Sequence, residues 1–276
     1  MNIIGLGTTG CEIAKKITEQ NKEVYKTYLI DTIKYKNFKS KVIEEQSRPE
    51  AYEQEYKTCK RFLTGLLDST LLVLSGQDLV TSCVLRLVEE IRNRTKITVL
   101  YVMPDIEMLP KVPSMHERMI RGVLQQYARS GLMERMYLVS VSNMSEIVGP
   151  VPLSEYKSSL YDTISYYFHM LNYYNNSTPV MSNNSISIDA ARISTLGVFD
   201  LETKQEKMFF NLQFPREVLY CYGVSKETLE TDVQLYKSIK DHVKESEIES
   251  VNYKIFQLTS DSNCGIVVKH ASYIQE

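Results

Sequence analysis

The sequence predicts an α/β fold: a doubly wound, mostly parallel sheet, a long central helix, and a smaller α+β half with a mixed sheet. Three observations carry that expectation. A glycine turn joins an apolar strand to a helix at the amino terminus. Short apolar runs then alternate with helical periods about five times over residues 1–150. After a long tyrosine-rich helix, the pattern changes to closely spaced strands around one helix. Unbroken apolar runs mark strands covered on both faces, and strand–helix alternation builds parallel sheets.

Asn2-Ile3-Ile4 reads as a buried strand, residues 5–10 as a tight turn, and residues 11–20 as a helix with Ile13, Ala14 and Ile17 inward. A second strand over 24–30 ends on Asp31, and the basic segment 32–41 reads as loop or edge. Tyr52, Tyr56, Cys59, Phe62, Leu63 and Leu66 fall on one stripe, which predicts a helix over 48–67. Apolar strands are expected at 70–75, 96–103 and 135–141, separated by helices at 79–93 and 116–130. The second of these helices is expected to turn Met119, Val123, Leu124 and Tyr127 inward, and Ser142-Asn143 to open a loop.

A long helix over 152–174 carries Tyr156, Leu160, Thr163, Tyr167, Met170 and Tyr174, a stripe suited to packing between two halves. The polar run 172–187 reads as a loop. Strands at 207–214, 218–224, 253–259 and 265–270, with a helix at 227–244, complete the chain. The domain boundaries expected are 1–151 for a nucleotide-binding unit, 152–175 for the connecting helix and 176–276 for the smaller unit.

Composition narrows the classes. The 276 residues are 43% hydrophobic and 24% charged with a net charge of −2, so bulk electrostatics offer no case for nucleic acid. The five cysteines, Cys11, Cys59, Cys83, Cys221 and Cys264, are scattered without a CxxC pair. They read as reduced thiols of a cytoplasmic protein, with no zinc site and no leader before the first strand. No apolar run is long enough to span a bilayer. The four histidines lack ligand spacing, so no metal site is expected from them.

The chemistry-bearing stretch is Gly5-Leu6-Gly7-Thr8-Thr9-Gly10-Cys11. A strand, a glycine turn and a helix leave free backbone N–H groups at the positive end of a helix, which is an anion site. Gly5-x-Gly7-x-x-Gly10 also matches the dinucleotide fingerprint, and Asp31 closes the second strand about 20 residues on, where a ribose-binding acid is expected. Taken alone, this allows an NAD(P)-binding Rossmann enzyme, although no catalytic constellation accompanies it.

The order of features resembles the tubulin/FtsZ superfamily over nearly the whole chain. The strand 71–74 with Ser75-Gly76 stands where that family has its glycine-rich signature. Residues 139–147, with Asn143, look like its nucleoside-contacting loop. Pro152-Leu153-Ser154-Glu155 opens a helix like its central helix, and Asp162 falls near its base-reading residue. Ser187-Ile188-Asp189-Ala190-Ala191-Arg192 sits where the family carries its Asn-x-Asp-x-x-Asp loop. The resemblance implies GTP or GDP as ligand, with Mg2+ as the accompanying ion. It also implies nucleotide contacts, to phosphate, sugar or base, from Gly5, Gly7, Thr8, Thr9, Gly10, Cys11, Asp31, Gly76, Thr81, Ser82, Asn143 and Asp162. Asp189 and Arg192 would act across a head-to-tail contact between copies, giving a filament whose partner is the chain itself.

The departures from that family are as informative. Where its signature is glycine and threonine, this chain has Gly76-Gln77-Asp78-Leu79-Val80-Thr81-Ser82-Cys83. A carboxylate beside a triphosphate is repulsive unless a metal intervenes. Arg192 replaces an acid and cannot act as a base, although an arginine can contact a γ-phosphate. Hydrolysis is therefore expected to be weak or absent. The eroded signature is similar to that of divergent phage- or plasmid-borne members. A pseudo-GTPase scaffold that no longer binds nucleotide is the alternative these residues leave open.

Overall fold

The computed structural model describes residues 1–276 except 67–68, 184–187, 189 and 259–262. In chain order the first half is β1 (Asn2–Leu6), α1 (Gly7–Gln20), β2 (Lys26–Asp31), β3 (Lys39–Val42), α2 (Pro49–Gln54), β4 (Ser69–Leu74), a 3₁₀ turn (Leu79–Cys83), α3 (Val84–Ile91), β5 (Lys96–Met103), α4 (Lys111–Arg129), β6 (Arg135–Ser140) and α5 (Val141–Val148). The second half is α6 (Leu153–Asn176), β7 (Met181–Ser182), β8 (Ile193–Phe199), β9 (Glu206–Met208), β10 (Glu217–Ser225), α7 (Lys226–Thr231), α8 (Leu235–Glu245), β11 (Ser250–Leu258) and β12 (Cys264–Ala271).

The described strands form one sheet in the order β3-β2-β1-β4-β5-β6-β8-β12-β10-β11-β7, with β9 added alongside β8. From β3 to β8 every pairing is parallel; β12 then runs antiparallel to both β8 and β10. The mixed half is thus hydrogen-bonded to the parallel half, through the short β6–β8 register at Met136↔Ile193 and Tyr137↔Ser194.

Parallel strands must be covered on both sides, and alternating side chains do this. Ile3, Leu71, Val73 and Leu100 face α1 and α6, whereas Ile4, Leu72, Leu74 and Val99 face α3 and α4. A third core of Tyr220, Tyr222, Val224 and Ile255 lies under Ile239 of α8. Helix α6 touches both halves through a face shifted from the expected stripe: Ile164, Phe168 and Leu171 are buried with Leu160 and Tyr174, while Tyr156, Thr163, Tyr167 and Met170 are half-buried. Phe168 meets Tyr137 of β6 edge-on at 5.4 Å, and Tyr174 stacks on Phe256 of β11 at 4.5 Å.

Several expectations need correction. The helix expected over 48–67 stops at Gln54, yet Tyr52, Cys59 and Leu63 are buried as foreseen. Turns deliver those apolar side chains as well as a helix would, and Glu90 accepts from both the Tyr56 hydroxyl and the Cys59 N–H. The segment 32–41 is an edge only in part, since β3 pairs with β2. Residues 142–143 lie in α5, and the strand expected at 207–214 is the shorter β9. The helix expected at 227–244 breaks into α7 and α8 at Asp232. Strand β8 was not foreseen: Ser194, Thr195 and Gly197 interrupt its apolar run.

On α4, Met119 is exposed, while Ile120, Leu124 and Ala128 face the core beside the buried polar residues Glu117, Arg121 and Gln125. Pro113 sits in the first turn, where a missing N–H is harmless.

Candidate functional site

The mouth of the parallel half forms where β1 and β4 end together. Their register pairs Leu6 with Leu74, so the residues that follow each strand emerge side by side. After β1 the chain enters α1 at once: Gly7, Thr8, Thr9 and Gly10 make its first turn, in place of the separate turn expected before residue 11. Gly7 has φ +76°, which favours glycine, and a Cβ there would strike the Asp78 side chain at 2.7 Å. Gly10 lies so close to the Val73 carbonyl that a Cβ would overlap it. The third glycine thus serves helix–strand packing, independently of any ligand.

After β4 the chain turns through Ser75-Gly76-Gln77-Asp78, and this places a carboxylate on the positive end of α1. Asp78 Oδ2 accepts the Thr9 backbone N–H at 2.9 Å, and the Gln77 amide donates to Thr9 Oγ1 at 3.0 Å. A helix N-terminus carries about half a positive charge and unpaired N–H groups, so an anion is stabilised there. In this chain, the anion is supplied from within. Val80 is buried in the core that α3 covers, and Leu79 is half-buried against the same core.

Burial pushes the Asp78 carboxyl up to about 6, with the Thr9 hydrogen bonds opposing and the Asp31 charge adding. Lys157, on the first turns of α6, lowers it. Above pH 6 the group is charged in both folded and unfolded chains, and the fold bears its desolvation. As pH falls through 6, the folded chain takes up a proton that the unfolded chain does not, so stability rises. Between pH 7.5 and pH 5 this contributes about 1.4 kcal/mol. Urea unfolding of wild type and Asp78→Asn at both pH values isolates it: the difference between the two chains should change by that amount, and an unchanged difference refutes the titration.

The other expected site residues fall into three groups. Thr8 lies on the exposed side of the α1 turn, with its hydroxyl 3.1 Å from Asp31 Oδ2. Asp31 is only 2% exposed, and it also accepts from the Tyr35 hydroxyl at 2.6 Å and the Thr32 N–H at 2.8 Å. Three donors therefore already hold Asp31 in place, two on Oδ2 and one on Oδ1.

The second group turns away from the mouth. Cys11 is fully buried, its thiol donating to the Gly5 carbonyl and pushed far up by burial. Thr81 donates to the Asp78 carbonyl at 2.6 Å. Ser82 lies 2.7 Å from His116 Nε2, and His116 Nδ1 lies 2.9 Å from the Gly76 carbonyl. Because that carbonyl can only accept, Nδ1 carries a proton. Gly76 is pressed against Tyr101 and Glu117, where a Cβ would come within 2.9 Å of the Glu117 Cα. These positions fix the turn and the top of α4. The Thr81 and Ser82 hydroxyls both have partners within the protein, so donating to a phosphate would require them to turn away from these.

The third group lies to the sides. Asn143 bonds to the Met208 carbonyl at 3.1 Å and to Asn211 at 3.0 Å, tying α5 to β9. Asp162 pairs with Lys16 at 2.5 Å on the surface, with about half of its side chain exposed. Arg192 lies at the opposite end of the sheet beside Gly131 and donates to the Met133 carbonyl at 3.3 Å. Asp189 and Ser187 lie outside the described residues.

Two residues at the mouth escaped the sequence reading. Lys157 is close enough to lower the Asp78 carboxyl, and Tyr161 beneath it is buried against Thr9. Their signal is only positional: they sit one turn apart on the helix expected to carry the base-reading residue. No group of three or more potential metal ligands is present among the described residues. No helix of the described residues is long and apolar enough to cross a membrane, and no disulfide forms among them.

No family model matches the sequence, and no curated protein matches it. Solved structures do. A GTPγS-bound protofilament of CetZ2 from Haloferax volcanii is similar over 97% of this chain and 92% of its own, at 12% identity and a TM-score of 0.74. An empty FtsZ dimer from M. jannaschii is similar over 98% of this chain and 87% of its own, at 11% identity and a TM-score of 0.70. A GTPγS-form protofilament of TubZ from Bacillus thuringiensis serovar israelensis is similar over 98% and 86%, at 13% identity and a TM-score of 0.69. The strand order, the α6 helix joined to both halves and these end-to-end similarities give one conclusion: the chain has a divergent tubulin/FtsZ-like fold.

Proposed function

We propose that this chain is a filament subunit that takes guanine nucleotide at the α1 turn and assembles head to tail, with hydrolysis weak or absent. The observation that carries the nucleotide part is the Asp78–Thr9 contact. The Thr9 N–H of the turn holds a carboxylate at 2.9 Å, which supports an anion-binding polarity there. On this reading Asp78 is a displaceable internal ligand. The phosphates enter as it swings out, and Lys157 supplies a countercharge, with Mg2+ shielding what remains. Residues 1–151 would present the nucleotide and residues 176–276 would close on it from the next copy. Support for assembly comes from the neighbours, two of which are protofilaments. Weak hydrolysis follows from Arg192, which can contact a γ-phosphate and cannot deprotonate water.

The test is sedimentation of the purified chain with GTP, GDP or no nucleotide, with released phosphate assayed in parallel. The expected result is a pellet that depends on GTP and outlasts many hours without phosphate release. A chain that stays in the supernatant under all three conditions refutes assembly.

The engaged hydroxyls of Thr81 and Ser82 favour a second reading, in which Asp78 never leaves and the chain is a scaffold without nucleotide. A ligand that binds only the native state raises the melting temperature. GTP without any such shift would select the scaffold reading, and a shift with NAD(H) instead would revive the dinucleotide reading.

A further inference from the structure

At the end of the sheet opposite the mouth, where β5 and β6 begin, lies a cavity of about 830 Å³. Among the described residues lining it are Arg92, Arg94, Lys96, Arg135 and Arg192, against a single carboxylate, Glu134. We infer that this basic cavity is a binding site for a multiply charged phosphate ligand.

The first question is whether the cations are explained without a ligand. Helices α3 and α4 both end at this cavity, and cations are stabilised at helix carboxyl ends. Each end supplies only about half a negative charge. Setting Arg192 aside, four cations face Glu134 and two such ends, which leaves an excess of about two positive charges.

Two of the four are committed elsewhere. Arg94 donates to the Leu63 carbonyl at 2.6 Å, and Arg135 reaches Ser194 at 3.2 Å and His270. Arg92 and Lys96 are exposed and make no ion pair among the described residues. Like charges gathered in a concave site raise the local potential and attract anions. The volume falls in the range that holds small ligands rather than single ions. A polar, arginine-rich wall suits phosphate, which arginine grips in bidentate fashion.

The test is calorimetric titration of the full chain with inorganic tripolyphosphate, comparing wild type with the Arg92→Ala/Lys96→Ala double variant. Both side chains are exposed, so the variant should melt at the wild-type temperature without ligand. The expected result is a site in the wild type that the double variant weakens about tenfold for each charge removed. Its affinity should fall steeply with salt. Repeating the titration with Asp78→Ala separates this site from the mouth, because the Asp78 change should leave it untouched. Equal affinity in the wild type and the double variant overturns the proposal. So does the absence of binding at low salt, or equal binding of poly-glutamate, which would make the cavity a general acidic-chain contact.

Discussion

Replacing Asp78 by alanine should raise the affinity of the chain for GTP by about ten- to a hundredfold at pH 7.5, measured by calorimetry. A phosphate that enters the α1 turn must first break the Asp78–Thr9 bond. A hydrogen bond to a charged group contributes about 1.5–3 kcal/mol, and each 1.4 kcal/mol is a factor of ten. Removing the carboxylate also removes its repulsion of the incoming phosphates. Asp78→Asn should show most of the gain, because the amide keeps the shape and loses the charge.

The pH profile distinguishes this from a general loosening of the mouth. The wild-type carboxyl sits at about 6, so its competition should fade as the pH drops below that value. GTP affinity in the wild type should therefore climb relative to Asp78→Ala between pH 7.5 and pH 5, and the two chains should converge. Equal affinities at pH 7.5 would mean that Asp78 does not occupy the phosphate position. No GTP binding in either chain would leave the scaffold reading standing.

Why this contact was not legible in the sequence is a matter of distance along the chain. Asp78 as a departure from a glycine-rich signature can be read from residues 76–83, and so can its conflict with a phosphate. That it lands on Thr9 depends on β1 lying beside β4 in register, a pairing across 68 residues that no local pattern states. Local signals worked where the environment was uniform. Strands β1, β4, β5 and β6 are covered on both faces, and their apolar runs mark them closely.

The same signals failed where one property had two structural solutions. Past the end of α2, Cys59 and Leu63 are buried and Tyr56 and Phe62 half-buried, and turns deliver them as well as a helix would. On α4 the helix was legible and its inward face only in part, since Leu124 is buried and Met119 is exposed. Glu117, Arg121 and Gln125 are polar residues in buried positions, so the apolar period pointed to Met119 instead. The glycine fingerprint succeeded for a reason separate from nucleotide. Gly7 needs its positive φ and Gly10 the close approach to Val73, whether or not a phosphate is bound.

The buried polar face of α4 carries the largest stability effect expected for a single substitution. Glu117 is wholly buried and Arg121 is 4% exposed; Arg121 Nε donates to Glu117 Oε1 at 2.8 Å. The Tyr101 hydroxyl donates to the same oxygen at 3.1 Å, while Glu117 Oε2 has no partner among the described residues. Arg121 also donates to the Gln275 carbonyl, which Gln125 bonds as well, so the carboxyl-terminal residues are pinned to α4. Arg121→Ala would leave a carboxylate in the interior with only a tyrosine hydroxyl for company. Breaking a buried pair from one side costs about 3–5 kcal/mol, and denaturant unfolding at pH 7.5 should show a loss of that size.

The loss should also depend on pH in a defined direction. Without its arginine the buried Glu117 favours the neutral form, so the folded variant binds a proton more tightly than the unfolded chain. Its deficit against wild type should shrink as the pH falls toward 5, and Glu117→Gln added to Arg121→Ala should recover part of the stability at pH 7.5. A deficit that stays the same at both pH values would mean that Arg121 acts through packing and through Gln275, and not as the countercharge of Glu117.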